Sequence, residues 1–114
     1  MQHRDRITLQ KILEETAIAK EFLDNVTPAA FLSNEMLKRA VSMTVINIGE
    51  LVKNLTNEFR LEHKDVPWKD ISGFRDIAAH KYKTLDMELV YNSVKIDIPE
   101  LENSIENILN QDKA

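Results

Sequence analysis

Cysteine is absent from this chain of 114 residues, and only two glycines and three prolines are present. The absence of cysteine excludes disulfide-stabilised folds and thiolate metal sites. Because glycine and proline form most tight turns, their scarcity argues against a β-sandwich or barrel and favours helices joined by short loops. No apolar run approaches the roughly 20 residues that a membrane-spanning helix needs. The basic N-terminus precedes no apolar segment, so we expect a cytoplasmic protein without a signal peptide.

Charge is distributed unevenly along the chain. The formal net charge of −4 argues against a protein that coats nucleic acids through charge alone. Residues 69–83 nevertheless carry four basic and two acidic side chains, whereas residues 84–114 carry two basic and seven acidic ones. Such a local basic segment can attract a phosphodiester even on an acidic protein. A solvated helix surface of mixed charge is the simpler explanation.

Apolar residues recur at spacings of three and four in the first half of the chain, which predicts amphipathic helices. The first helix is expected over residues 4–23. Pro28 restricts its own backbone and that of Thr27, so the chain should break there. A second, long helix is expected from Ser33 or Asn34 to Leu55. Its interior contains a glycine at position 49, which would permit a close helix crossing.

The second half of the chain predicts further helices with recognisable starts. Thr56 is expected to cap a short helical turn. Pro67 suits the first position of a third helix that runs from Trp68 to about Tyr82, with Asp65 as its cap.

A fourth helical region opens at Asp86, and Pro99 should bend that helix or split it in two. The sequence therefore predicts an all-α, antiparallel bundle of four to five helices, in a single domain over residues 1–114.

The third predicted helix concentrates the side chains that suit chemistry: Arg75, Asp76, His80 and Tyr82. At about 100° per residue, Tyr82 lies on the face of Arg75, whereas His80 lies about 140° away. One straight helix would not direct Arg75 and His80 at the same atom. Three arrangements would resolve this: Arg75 reaches around the helix, the helix ends or bulges near His80, or two copies of the chain face each other.

These residue types suit the cleavage of a phosphodiester in RNA. A histidine can deprotonate the ribose 2′-OH near neutral pH, and an arginine can stabilise the charge that develops on the phosphoryl oxygens. Asp76 and His80 are spaced to hydrogen-bond to each other, which would fix the imidazole tautomer. No metal ligand pattern is present, because His3, His63 and His80 lie too far apart in sequence. Alternatively, the motif is a chance match and Asp76–His80 an ordinary surface pair.

The motif resembles the signature Arg-[Asn/Asp]-x3-His-x-Tyr of the HepT-like toxins of the HEPN superfamily. The match comprises Arg75, Asp76, His80 and Tyr82. The resemblance extends over nearly the whole chain from Arg4 onward, through Leu55 and the segments 48–50, 58–60, 67–76 and 86–101.

The resemblance implies a helical homodimer whose two Arg75 and His80 sets line a shared cleft. It implies a metal-independent endoribonuclease that is the toxin of a type II or type VII-like toxin–antitoxin pair. An MNT-type nucleotidyltransferase antitoxin would silence the toxin by attaching AMP to Tyr82. Asp76 stands where many members have asparagine, and a carboxylate there would weaken RNA binding.

Two functional hypotheses follow. In the first, His80 is the catalytic base or acid, Arg75 stabilises the phosphorane and Asp76 positions His80. The flanking Lys69, Lys81 and Lys83 are then candidate RNA-binding residues, and no metal or cofactor is needed. In the second, the chain is a non-catalytic helical partner of a nucleotidyltransferase that binds its substrate or accepts AMP. A structural dimer with a decayed motif is a third possibility.

Overall fold

The computed structural model describes residues 1–113, which are helical and contain no β-strand. A 3₁₀ turn lies at Tyr82–Thr84, and a π-helical turn lies at Ser93–Asp97. The α-helices in chain order are α1 (His3–Phe22), α2 (Pro28–Leu32), α3 (Glu35–Lys53), α4 (Asn57–Glu62), α5 (Trp68–His80), α6 (Met87–Asn92) and α7 (Ile98–Lys113).

The four longest helices form the predicted antiparallel bundle. Helix α1 lies between α3 and α7, and α5 packs on the other side of α3. Across the α1–α7 interface, Arg6 pairs with Asp112 and Lys20 pairs with Glu102 at 2.7 Å, so the two helices run in opposite directions. Fully buried apolar side chains from several helices fill the interior, among them Leu9, Ile12, Phe31, Val41, Val52, Val90 and Ile105.

The predicted helix starts at Asn34, Thr56 and Asp86 are confirmed, and Thr56 is the cap that was expected. The side chains of Thr56 and Asp86 accept hydrogen bonds from backbone N–H groups of α4 and α6, and Asn34 caps α3 in the same way. The prediction that Asp65 caps α5 was wrong. Pro67 occupies the cap position itself, one residue before the first helical position expected for it, and its ring offers no acceptor, so no side chain caps α5. The N–H of Trp68 bonds instead to the carbonyl of Val66 at 2.8 Å.

Two other boundaries differ from the sequence prediction. The break after α1 contains an additional short helix, α2, which Thr27 caps by accepting a hydrogen bond from the backbone of Ala30. Helix α5 ends at His80, so Tyr82 belongs to the 3₁₀ turn and not to the helix.

The fourth predicted helical region is divided in two close to Pro99, as expected, but the division is a π-helical turn and not a break in the chain of helical residues. The π-helical turn at Ser93–Asp97 lies immediately before Ile98 and Pro99, and helical geometry continues on both sides of it. A proline removes one backbone donor and crowds the carbonyl four residues earlier. The wider π turn changes the hydrogen-bond register at that carbonyl and so accommodates the ring.

None of the helices within residues 1–113 is long and apolar enough to cross a membrane.

Candidate active site

Helix α5 lies against α3 at an unusually short distance, and a glycine makes this possible. A Cβ atom built on Gly49 would lie 2.1 Å from the Cβ of Arg75 and 2.8 Å from its Cγ. Any side chain at position 49 would therefore push the two helices apart. Because Gly49 has no side chain, the backbone around Arg75 can lie close to α3.

The guanidinium of Arg75 is held between two carboxylates. Its Nε lies 2.9 Å from Oε2 of Glu50 on α3, and its Nη1 donates a hydrogen bond of 3.1 Å to Oδ1 of Asp76. The Nε–H does not point along the line to Glu50, so this contact is an ion pair without an aligned hydrogen bond. The Arg75 side chain keeps 23% of its surface exposed, which leaves part of the fork available to an anion.

Asp76 is linked back to α3 through a lysine. Nζ of Lys53 donates a hydrogen bond of 2.5 Å to Oδ1 of Asp76, the same oxygen that accepts from Arg75. These two bonds, with Lys53 contributing most, lower the pKa of Asp76 below its ordinary value. Asp76 is therefore a carboxylate at neutral pH, and its negative charge is offset by two cations.

The predicted hydrogen bond between Asp76 and His80 is not formed in the described part of the chain. The contacts of the Asp76 carboxylate are with Lys53 and Arg75, which draw it toward α3. His80 is exposed and is the last residue of α5. Of the three arrangements considered for Arg75 and His80, the structure has the one in which the helix ends at His80.

Tyr82 does not share a helical face with Arg75, because α5 ends before it. Its ring lies under the guanidinium of Arg39, whose Cζ is 5.1 Å from the ring centroid, a cation–π contact across the start of α3. The Tyr82 hydroxyl is buried and has no hydrogen-bond partner among the described residues. A buried hydroxyl without a hydrogen-bond partner is energetically unfavourable, so the position of Tyr82 in the 3₁₀ turn lowers the stability of the fold.

The three candidate RNA-binding lysines lie at different ends of α5. Lys81 and Lys83 follow His80 directly and are exposed. Lys69 is also exposed but lies in the first turn of α5, about 16 Å from the His80 end at the usual helical rise. The structure therefore groups Lys81 and Lys83 with His80 and separates Lys69 from them.

Sequence reasoning missed the α3 residues that contact the motif. Glu50 contacts Arg75, Lys53 contacts Asp76, and Arg39 contacts Tyr82. In the sequence they look like ordinary solvated charges on a long helix. The interior glycine at position 49 was the single signal that another helix approaches there. Within residues 1–113, no three or more acidic, histidine or cysteine side chains are grouped so as to hold a metal ion.

Comparison with known proteins finds relatives whose names describe them as ribonucleases. The "Putative RNase TTE0752" of Caldanaerobacter subterraneus is 36% identical over 105 residues, which are 92% of this chain and 94% of that protein. The "Probable ribonuclease HepT" of Thermococcus cleftensis is 31% identical over 106 residues, 93% of this chain and 94% of its own length. No solved structure matches the chain significantly. The model of the family described as ribonuclease HepT-like matches residues 12–108, and the chain therefore belongs to that family.

Proposed function

We propose that this protein is a metal-independent endoribonuclease that acts as the toxin of a toxin–antitoxin pair. In a dimer, one His80 imidazole removes the proton from a ribose 2′-OH, and the 2′ oxygen attacks the adjacent phosphorus. The bond to the 5′ oxygen breaks, and the second imidazole of the dimer protonates that oxygen. The products are a 2′,3′-cyclic phosphate and a 5′-OH. Arg75 stabilises the charge on the phosphoryl oxygens during the attack.

The observation that carries the proposal is the environment of Arg75 in a chain of the HepT-like ribonuclease family. The Arg75 guanidinium is partly exposed, its stem packs against Gly49, and Glu50 orients it. Such a group is preorganised to bind a phosphate. Lys81 and Lys83 add exposed positive charge beside His80. Asp76 acts on Arg75 rather than on His80 in this arrangement, and Lys53 offsets its charge near the scissile phosphate.

Homodimerisation is part of the proposal, and exposed apolar side chains near the motif support it. Met36 and Met43 on α3 are 82% and 56% exposed, and Ile77 on α5 is 54% exposed. On α3 the two methionines lie on the same stripe as Glu50, given the helical period. An apolar surface next to a catalytic cleft is typical of a protein–protein interface. A second copy that covers this surface would bring its own Arg75 and His80 to the same cleft.

Silencing by an MNT-type nucleotidyltransferase completes the proposal. The Tyr82 oxygen would attack the α-phosphorus of ATP, pyrophosphate would leave, and the phenolic proton would pass to solvent. The product carries an anionic phosphodiester on Tyr82, next to the guanidinium of Arg39. Because the hydroxyl is buried, the 3₁₀ turn must open before the reaction. AMP on Tyr82 would then place negative charge close to His80 and repel RNA.

The test of the ribonuclease is cleavage of a mixed RNA substrate by the purified protein in the presence of EDTA. We expect products that end in 2′,3′-cyclic phosphate. The substitution His80→Ala should abolish cleavage without changing the thermal unfolding midpoint, since His80 is exposed at a helix end. His3→Ala, at an exposed position near the N-terminus, is the matched control and should stay active. Absence of cleavage by the folded wild-type protein on every RNA tried would refute the proposal.

Mass spectrometry, together with the cleavage assay, distinguishes the proposed ribonuclease from the alternative in which the chain only accepts AMP. Incubation with ATP, magnesium and a nucleotidyltransferase encoded next to it should add one AMP to wild-type protein and none to Tyr82→Phe. Under the proposal, the unmodified protein cleaves RNA and the modified protein does not. AMP addition to a chain that lacks nuclease activity before modification would favour the alternative.

A further inference from the structure

An open cleft separates α5 from α6 and α7. Its floor is apolar and includes Ile48 of α3, Phe74 of α5 and Leu101 of α7, and Leu89 of α6 stands at its side with 51% of its surface exposed. The cleft has a volume of about 450 Å³. Helix α5 packs on α3 along its length but does not close against α7, so its inner flank lies open there.

The rim of the cleft is negatively charged. The carboxylates of Asp65, Asp70, Asp97 and Glu100 line it, and none of the residues around it is basic. Within residues 1–113, none of these four carboxylates forms an ion pair. Four unpaired carboxylates around an apolar floor repel phosphates and anionic surfaces, and they complement a cationic group.

We propose that this cleft is the docking site for a basic amphipathic segment of a partner protein. Apolar side chains of that segment would occupy the floor, and flanking lysines or arginines would pair with the rim carboxylates. RNA is a poor occupant because its phosphates would face the rim. A second copy of this chain is disfavoured at this cleft, because the proposed dimer covers Met36 and Met43, which lie on a different side of α3 from Val45 and Ile48 in the cleft.

The cleft lies on a flank of α5 that faces away from Asp76. At about 100° per residue, Asp70, Ile71 and Phe74 lie about 120°, 140° and 160° around the helix from Asp76, whereas Ile71 lies only about 40° from Arg75. An occupant would therefore contact α5 away from Asp76. The binding inference does not depend on the proposed ribonuclease activity, because its test measures binding alone.

The probe is a helical peptide with leucine repeated every three or four residues and lysine at most other positions. One control peptide carries glutamate in place of every lysine, and another carries serine in place of every leucine. Affinity is measured by calorimetry on the full chain, and the site is mapped by amide chemical shifts. We expect binding of the lysine peptide that weakens with added salt, and shift changes at Ile71, Phe74, Leu89 and Leu101.

The double variant Asp70→Asn, Glu100→Gln should bind the lysine peptide about tenfold more weakly at low salt. Glu14→Gln, Asp24→Asn is the matched control, because those carboxylates are exposed, lie away from the cleft and form no ion pair within the described residues. Equal affinity of the lysine and glutamate peptides, shifts confined to another surface, or no binding at millimolar peptide would overturn the inference. It would also be overturned if a second copy of the chain already protects these amides in the absence of peptide.

Discussion

Arg75 has two carboxylates within ion-pair distance before any substrate is bound. Glu50 and Asp76 orient the guanidinium and also reduce its net charge. Both pairs are partly exposed, and exposed pairs contribute only about 0–1 kcal/mol to stability. The pairs are therefore better explained as orientation of a phosphate-binding group than as stabilisation of the fold.

This interpretation predicts different effects of Arg75→Ala on stability and on activity. We expect the free energy of unfolding to fall by about 1 kcal/mol, from lost stem packing and weak ion pairs. RNA cleavage should fall about 10²- to 10³-fold, because the charge on the phosphoryl oxygens loses its partner. Denaturant unfolding and a cleavage assay measure the two quantities. A stability loss above about 3 kcal/mol would instead identify Arg75 as a structural ion-pair member.

Lys53 should control the ionisation of Asp76. In the variant Lys53→Gln, the pKa of Asp76 is expected to rise toward its ordinary value, because its main hydrogen-bond donor and a nearby positive charge are removed. Because this pKa is lowered, the Lys53–Asp76 pair contributes to stability at neutral pH. That contribution is lost as the pH falls through the lowered pKa of Asp76. Carboxyl NMR titration measures the effect, and Lys11→Gln, at an exposed site on α1, should leave Asp76 unchanged.

At the level of helices, the contact between α3 and α5 decides where the motif lies. The contact depends on Gly49, because an added Cβ would overlap the Arg75 side chain. The other glycine, Gly73 in α5, has no neighbour within 4 Å of such a Cβ. Both glycines lie inside helices, where glycine has a lower helix propensity than alanine. Only Gly49 has a neighbour that an added Cβ would overlap. This difference makes them a matched pair.

Gly49→Ala should destabilise the protein by about 1–3 kcal/mol through overpacking, despite the higher helix propensity of alanine. Gly73→Ala should stabilise it by about 0.5–1 kcal/mol, since nothing opposes the propensity gain. Denaturant midpoints measure both changes. Equal stabilisation by both substitutions would show that α3 and α5 do not approach as closely as described.

At the level of the whole molecule, the bundle leaves apolar surface beside the motif and is elongated, with extents of 45 × 28 × 20 Å. The proposed dimer would cover Met36, Met43 and Ile77, all more than half exposed. The ribonuclease proposal needs this assembly, because it is the dimer that supplies the second imidazole and brings both motifs to one cleft.

Met43→Glu should therefore shift the protein toward monomer at micromolar concentration and reduce RNA cleavage at least about tenfold, because a buried charge opposes association. Analytical ultracentrifugation measures the first effect. Ile18→Glu is the control, since Ile18 is 41% exposed on α1, the helix on the other side of α3. A wild-type protein that sediments as a monomer and still cleaves RNA would contradict the proposed dimer.

Local signals in the sequence were sufficient for the helical class, the antiparallel order and the starts at Thr56 and Asp86. These features depend on hydrophobic periodicity and on side-chain capping, which act over a few residues. The end of α5 at His80 and the π turn before Pro99 were not determined at that range. Beyond the end of α5, Tyr82 lies against Arg39 of α3, which is far away in sequence. Pro99 predicts a disturbance of the helix but does not specify that it takes the form of a π turn.

The sequence alone determined which residues compose the motif, because the identity and spacing of these residues are set by the covalent chain. Their resemblance to the family signature can be recognised without the structure. Only the tertiary structure decided their partners. Asp76 pairs with Lys53 rather than His80, and Arg75 pairs with Glu50, because Gly49 lets α3 approach α5 closely. Such pairings join residues more than twenty positions apart, and no local spacing rule encodes which of several similar charges will meet.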